Sequence, residues 1–271
     1  MNASTSCPAW AILETDILRP DATLSPDRSL YTCHAHVHAH ETDFNNRLKV
    51  SALFNHMQDA ASAHAEALGV GFDDLDRAGC FWVLSWVGME LDALPPMQTA
   101  FTIQTWPKGP HRLYSLRDFR FQTEDGKPFG RVTTAWLLLD NRTLRPLPLK
   151  RLPLDITYRS QESALDRLPE KPVPLDRIDS SVSRPIGYSD LDINRHMNNA
   201  RYVEALMDAI PLERHEAGWV NSLTLHYQAE AKPGDVLNIE TQLGGDGDPD
   251  RVRGRMTDGT VCFSAEVLWR L

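Results

Sequence analysis

FWVLSWVGMELDALPPMQTAFTIQT, residues 81–105, lies without a gap over GWVNSLTLHYQAEAKPGDVLNIETQ, residues 218–242. Trp82 falls on Trp219, Val83 on Val220, Ser85 on Ser222 and Pro96 on Pro233. Identity between the copies is thin, but both run strand, proline-bearing turn, strand. Such self-similarity predicts two related units in one chain.

Each copy is preceded by a segment with apolar residues at helical spacing. In the first these are Val50, Leu53, Phe54, Met57, Ala61, His64 and Leu68; in the second, Tyr202, Val203, Leu206, Met207 and Ile210. Gly69 and Gly71 end the first helix and Pro211 the second, and Asn198 offers a capping side chain. Each copy is followed by a hairpin: RLYSLRDFRFQT, EDGK and RVTTAWLLLD in the first half, RVRGRMT, DG and TVCFSAEVLW in the second. Residues 141–180 hold Pro146, Pro148, Pro153, Pro169, Pro172 and Pro174 with many charges and no glycine, which predicts a semi-rigid linker with room for a short helix.

A long helix with one apolar stripe is buried by curling the following strands around it, and two such units cover each other's open sheet edge by pairing. The expected fold class is therefore α+β. It consists of two tandem hot-dog units, 28–140 and 181–271, forming a pseudo-dimer with one continuous sheet, with 141–180 between them. Two unrelated α+β domains are the alternative for the same elements.

The 271 residues are 42% hydrophobic and 24% charged, the balance of a folded globular protein. There is no run of about 18 apolar residues, and the N-terminal stretch lacks a basic start and carries acidic residues, so a cytoplasmic protein is expected. Cys7, Cys33, Cys80 and Cys262 are scattered without a CxxC pair, as reduced structural thiols would be. A net charge of -9 disfavours nucleic acid and anionic membrane as partners.

The densest polar stretch is YSDLDINRHMNNARY, residues 188–202. Helix caps and Asx turns account for one or two of its short polar side chains, but not for the histidine. Asp192, Asn194 and His196 alternate beside the free amides of a helix start, where a developing oxyanion is stabilised. Glu230, in HYQAEAKPGD, stands at the end of an alternating strand, where a solvated carboxylate is the plain alternative.

Taken together, ETDFNN, TWP, RDF, the DLDINRHMNNARY block and YQAEAKPGD resemble the acyl-acyl-carrier-protein thioesterase family of plants and bacteria, over nearly the whole chain from Tyr31 to Leu271. The resemblance implies that Asp192, Asn194 and His196 fill catalytic-loop positions and that Glu230 fills an acidic position on the following strand. Plant members carry a cysteine directly after that glutamate where this chain has Ala231, so a Cys-His mechanism has no nucleophile there. Water attack with Glu230 or His196 as general base follows, Asn194 holding the water or the carbonyl and Asp192 orienting the loop; Glu230 as a direct nucleophile stays open. No cofactor and no metal are called for.

The same likeness implies an acyl tunnel in the first unit, for which Leu53, Phe54, Met57, Trp82, Leu84 and Trp86 are candidates. The partner it implies is the acidic acyl carrier protein with its acyl-phosphopantetheine arm, met by basic surface at Arg142, Arg145, Lys150 and Arg151, with Lys108, Arg112 and Arg117 elsewhere. The assembly is a monomer or homodimer. An acyl-CoA thioesterase, a non-hydrolytic acyl-binding module and a hydratase or dehydratase are the competing functions. CHAHVHAH puts His34, His36, His38 and His40 on one face of a strand, which is read as a solvated edge rather than a metal site, and GVGFDD lacks the ending of a phosphate loop.

Overall fold

The computed structural model describes residues 21–152, 156–168, 170–245 and 247–271; Cys7, Pro153, Pro169 and the N-terminal stretch lie outside these. The first unit contains β1 (Thr23–Leu24), β2 (Tyr31–His36), α1 (Val50–Ala67), α2 (Phe72–Arg77), β3 (Cys80–Leu91), β4 (Ala100–His111), β5 (Tyr114–Thr123) and β6 (Pro128–Asp140). The second contains β7 (Ser180–Pro185), α3 (Asn199–Asp208), α4 (Leu212–Ala217), β8 (Trp219–Tyr227), β9 (Val236–Gln242), β10 (Asp250–Met256) and β11 (Val261–Arg270). The short helices α2 and α4 were not expected; the GVGFDD stretch opens α2, with Asp74 accepting from the Gly71 amide.

All eleven strands form one antiparallel sheet in the order β1-β2-β4-β5-β6-β3-β8-β11-β10-β9-β7. The two halves read outward in the same order from the β3–β8 seam, where Trp86 pairs with His226 and Met89 with Leu223. The fold is thus a double hot-dog with the continuous sheet expected from the repeat, and the seam leaves neither β3 nor β8 as an open edge.

On the concave face α1 buries Leu53, Phe54 and Met57 and α3 buries Val203, Ala205 and Leu206. They join Phe101, Phe121, Leu223 and Phe263 in one core that spans both units. Burial of each large apolar side chain contributes about 1.5–3 kcal/mol. α1 closes at Leu68, and Gly69 follows at φ 72°, the left-handed position that ends many helices.

The linker starts beside the end of α1, where Leu152 packs with Val70 and Leu75, and from Arg159 onward it crosses the opposite face of the sheet. Its Arg159 amide donates to the Pro107 carbonyl at 3.0 Å, the Ala164 amide to Asp118 at 2.7 Å and the Asp176 amide to Gln242 at 3.0 Å. Proline restricts this segment, and a carbonyl and two side chains of the sheet give its backbone donors partners. Its short helical piece is a single 3-10 turn, Leu149–Arg151.

Candidate active site

The polar block folds as a tight turn leading into α3. The Asp192 amide donates to the His196 carbonyl at 2.9 Å, Leu191 and Met197 form an isolated bridge, and Arg195 at the tip has φ 62°. Asp192 Oδ1 accepts from the amides of Asn194 at 2.8 Å and His196 at 3.2 Å. The Asp192 carboxylate therefore holds the turn from within, as aspartate does in Asx turns. Buried Asp190 pairs with Arg184 and accepts from the Gly187 amide at 2.9 Å, anchoring the base of the loop.

Asn198 caps α3, its Oδ1 accepting from the Ala200 amide at 2.8 Å, while the Arg201 amide donates to the Asn198 carbonyl. The Asn199 amide has no acceptor among the described residues. The sequence suggested a general supply of free helix amides here; the cap reduces it, since Asn198 itself satisfies the second helical N–H.

Glu230 lies three residues beyond the end of β8, in the loop to β9 rather than on a strand. The ladder with β11 ends at Tyr227–Phe263, after which the amides of Gln228 and Ala229 both turn to the Cys262 carbonyl and the chain lifts off the sheet. That departure brings Glu230 Oε2 to 3.3 Å from His196 Nε2. Their side chains are 40% and 28% exposed, so water reaches both. Ala231 is fully buried; its amide donates to the Tyr202 hydroxyl at 2.8 Å and its carbonyl accepts from the Met197 amide at 2.9 Å. Burial holds the Tyr202 hydroxyl protonated, its pKa displaced upward and outside the physiological range.

Asp192, Asn194, His196 and Glu230 all line one cavity of about 950 Å³ that extends into the first unit. Its α1 wall is Gln58, Ala61, Ser62, Ala65 and Leu68, residues on one helical face with small side chains at the centre. Trp82 and Leu84 of the sequence candidates line it too. Leu53, Phe54 and Met57 do not: they precede Gln58 on α1 and sit in the core shared with α3, which Ala61 also joins. Trp86 packs edge-on against Tyr114, beyond the Ser85 bulge in β3. α1 has 18 residues against 10 in α3, and its second half presents the small side chains of Ala61, Ser62 and Ala65 to the cavity.

The same turn is present twice. In the first unit the Asp43 amide donates to the Arg47 carbonyl at 2.8 Å, Asp43 Oδ1 accepts from the amides of Asn45 and Arg47 at 2.8 and 2.9 Å, Thr42 bridges Leu48, and Asn46 has φ 56°. The sequence signal was available: TDFNNRLK, 42–49, lies over LDINRHMN, 191–198. Arg47 stands where the other copy has His196, and the overlay sets Ala93 against Glu230. Arg47 Nη1 instead donates to the Gly218 carbonyl at 2.6 Å and stacks over Trp219, while Asn45 donates to the His215 carbonyl, tying the units together.

Arg142, Arg145, Lys150 and Arg151 are exposed, and none is in an ion pair among the described residues. Asn141, just before them, and Leu144 and Pro146, between them, line the cavity. Of the other basic residues, Lys108 lies 3.5 Å from buried Asp118 and Arg117 turns inward to His64, so neither is free surface. β2 ends at His36, and His38 and His40 belong to the 3-10 turn that follows, their rings stacked and exposed. No group of three or more His, Cys, Asp or Glu side chains among the described residues is arranged to hold a metal ion. No helix among them is long and apolar enough to cross a membrane.

Comparison with known proteins agrees across both halves. The family model for the acyl-ACP thioesterase N-terminal domain matches residues 28–155, and that for the acyl-ACP thioesterase C-terminal domain matches 178–270. A chloroplastic palmitoyl-acyl carrier protein thioesterase of Gossypium hirsutum is 22% identical over 96% of this chain and 70% of its own length. The chloroplastic oleoyl-acyl carrier protein thioesterase 1 of Arabidopsis thaliana is 25% identical over 83% of this chain and 66% of its own. Among solved structures, an acyl-ACP thioesterase from Bacteroides thetaiotaomicron superimposes with a TM-score of 0.81 at 27% identity, covering 89% of this chain and 98% of that one. The 12:0-ACP thioesterase of Umbellularia californica superimposes with a TM-score of 0.74 at 20% identity, covering 89% and 94%.

Proposed function

The chain belongs to the acyl-ACP thioesterase family, and we propose that it hydrolyses the thioester of fatty acyl-acyl carrier protein, releasing the free fatty acid, with Glu230 as the general base. The observation that carries this reading is the His196–Glu230 contact at 3.3 Å on the wall of a 950 Å³ cavity. At that distance a small rotation of a neutral imidazole brings its Nε2–H onto Glu230 Oε2 during the reaction, which leaves the other Glu230 oxygen to take a proton from water. Imidazole and carboxylate then divide the work: His196 orients Glu230, and Glu230 activates the nucleophile.

Water adds to the thioester carbonyl as Glu230 takes its proton. The oxyanion is met by the Asn199 amide at the start of α3 and by the positive end of that helix. Asn194, exposed at the cavity wall, holds the water or the carbonyl, and Asp192 keeps the turn closed. Collapse expels the phosphopantetheine thiolate, which with a thiol pKa of about 8.5 leaves with little acid assistance. The acyl chain lies along Ala61, Ser62 and Ala65 of α1 in the first unit, and the unpaired cluster Arg142, Arg145, Lys150 and Arg151 receives the acidic carrier protein.

The test is thiol release from a series of acyl chains, each presented on acyl carrier protein and on CoA. Release from carrier-protein esters, reduced at least a hundredfold by Glu230→Gln, supports the reading. Preference for the CoA esters, unaffected by neutralising the four basic residues, turns it toward an acyl-CoA thioesterase. No release from any ester overturns it.

A further inference from the structure

Gln58 stands on α1 of the first unit, yet its carboxamide meets the start of α3 in the second. Its Nε2 donates to Asn198 Oδ1 at 3.3 Å, and its Oε1 accepts from Asn199 Nδ2 at 3.1 Å. The orientation of all three amides is fixed by one backbone group. Ala200 N–H donates to Asn198 at 2.8 Å, so the Asn198 atom there is the oxygen. That oxygen requires a donor from Gln58, which turns Gln58 Oε1 toward Asn199 and requires a donor in return. Gln58 and Asn199 both line the cavity that holds His196 and Glu230.

We propose that Gln58 is a positioning residue for hydrolysis, lent by the first unit to the reaction centre of the second. It touches neither member of the His196–Glu230 pair. It holds Asn199, whose amide opens α3, and Asn198, whose carboxamide caps it, and so sets the angle at which the helix start faces the cavity. The duplicated turn in the first unit has no such partner: Lys49 stands at the cap position of α1 and makes no side-chain cap bond. The bridge therefore belongs to the turn that carries His196, and it makes that site depend on both units. A site held to within a fraction of an ångström loses up to about a hundredfold in rate when its support moves by 1 Å.

This inference rests on the hydrolytic reading, and the experiment separates the two. Thiol release is measured for the parent, Gln58→Ala, Gln58→Glu, Asn199→Ala and the Gln58→Ala/Asn199→Ala double variant. Gln58→Glu keeps the shape and the acceptor for Asn199 but sets a carboxylate oxygen against Asn198 Oδ1, so it probes the bridge in a side chain of nearly unchanged volume. The expected result is a fall in kcat of about 10–100-fold for both Gln58 variants, with KM within about twofold, and a double variant no slower than the slower single one. A cavity-wall role would change KM and leave kcat alone. Parent-like kcat in either Gln58 variant, or multiplicative losses in the double variant, overturns the positioning role while the hydrolase reading stands. Absence of release from the parent overturns both.

Discussion

The Met197 amide donates to the Ala231 carbonyl at 2.9 Å, one residue past His196 on one loop and one residue past Glu230 on the other. The two side chains that face each other at 3.3 Å are thus registered by a backbone hydrogen bond directly beneath them. Ala231 is also held from its amide side by Tyr202, so a buried residue with no polar side chain is the fixed point of the pair.

Tyr202→Phe tests that fixed point. The substitution keeps the ring that packs edge-on against Tyr227 and Phe263 but leaves the Ala231 N–H buried and unpaired. An unpaired buried donor costs about 1–3 kcal/mol, so urea unfolding should give an unfolding free energy lower by that amount, with a correspondingly lower midpoint. Thiol release should fall by more than tenfold in kcat as Glu230 loses its register. Retained stability together with retained kcat would show that the Met197 bond suffices alone.

The double hot-dog fold and the polar turn were legible because both leave periodic or compositional marks: Trp82 over Trp219, and Asp192, Asn194 and His196 at alternate positions. Gln58, Tyr202 and Ala231 were not, because they act on backbone groups or amides supplied by distant segments, and nothing in their own neighbourhoods marks this. The tunnel candidates show the converse. An apolar stripe such as Leu53, Phe54 and Met57 identifies the stretch of α1 that is filled, whereas a cavity requires side chains that leave space, so it opens further along the helix at Ala61, Ser62 and Ala65. Glu230 was legible as a residue but not as a loop position, since the alternation of β8 continues into HYQAE while the ladder stops at Tyr227.

The first unit's copy of the turn now serves as a tie between units, and Arg47→Ala should cost stability without costing catalysis. It removes a charged hydrogen bond to Gly218 and the stacking over Trp219. A hydrogen bond from a charged group contributes roughly 1.5–3 kcal/mol, the lower end applying to a partly exposed side chain. Denaturant unfolding should show that loss, with kcat unchanged at temperatures well below the midpoint. Arg47→His should behave alike and give no second reaction centre, because Ala93 supplies no carboxylate.

His64 makes the fold acid-sensitive. It is fully buried, its Nε2–H donates to the Arg28 carbonyl at 3.0 Å and its Nδ1 accepts from Arg117 at 3.0 Å. Burial first, and the Arg117 guanidinium second, lower its pKa from 6.5 to about 3. The unfolded chain therefore binds a proton that the native state refuses between pH 6.5 and 3, and stability falls as pH drops through that window, by up to about 1.4 kcal/mol per unit. Above pH 6.5 this contribution is complete. Urea unfolding from pH 7 to 4 should be steeper in the parent than in His64→Gln, which has no proton to gain. Parallel curves would show that the site admits the charge.

In the proposed reaction, chain-length preference should follow distance along α1 from Gln58, whose bonds to Asn198 and Asn199 place it beside the His196 turn. At 1.5 Å per residue Ala61 lies about 4.5 Å further along and Ala65 about 10.5 Å. Both line the cavity, so an aromatic ring at either position blocks it, and the depth of the block differs by one helical turn. Ala61→Phe should exclude all but short acyl chains; Ala65→Phe should spare chains of intermediate length and reject only the long ones. Met57→Phe, one residue before Gln58 in the packed part of the same helix, should lower stability through overpacking and leave the profile where it was. The measurement is kcat/KM across the acyl series for the three variants. If Ala65→Phe were to shift the profile as far as Ala61→Phe, the chain would enter from the other end of the cavity or follow another wall, because an acyl tail laid along α1 from Gln58 meets position 61 first.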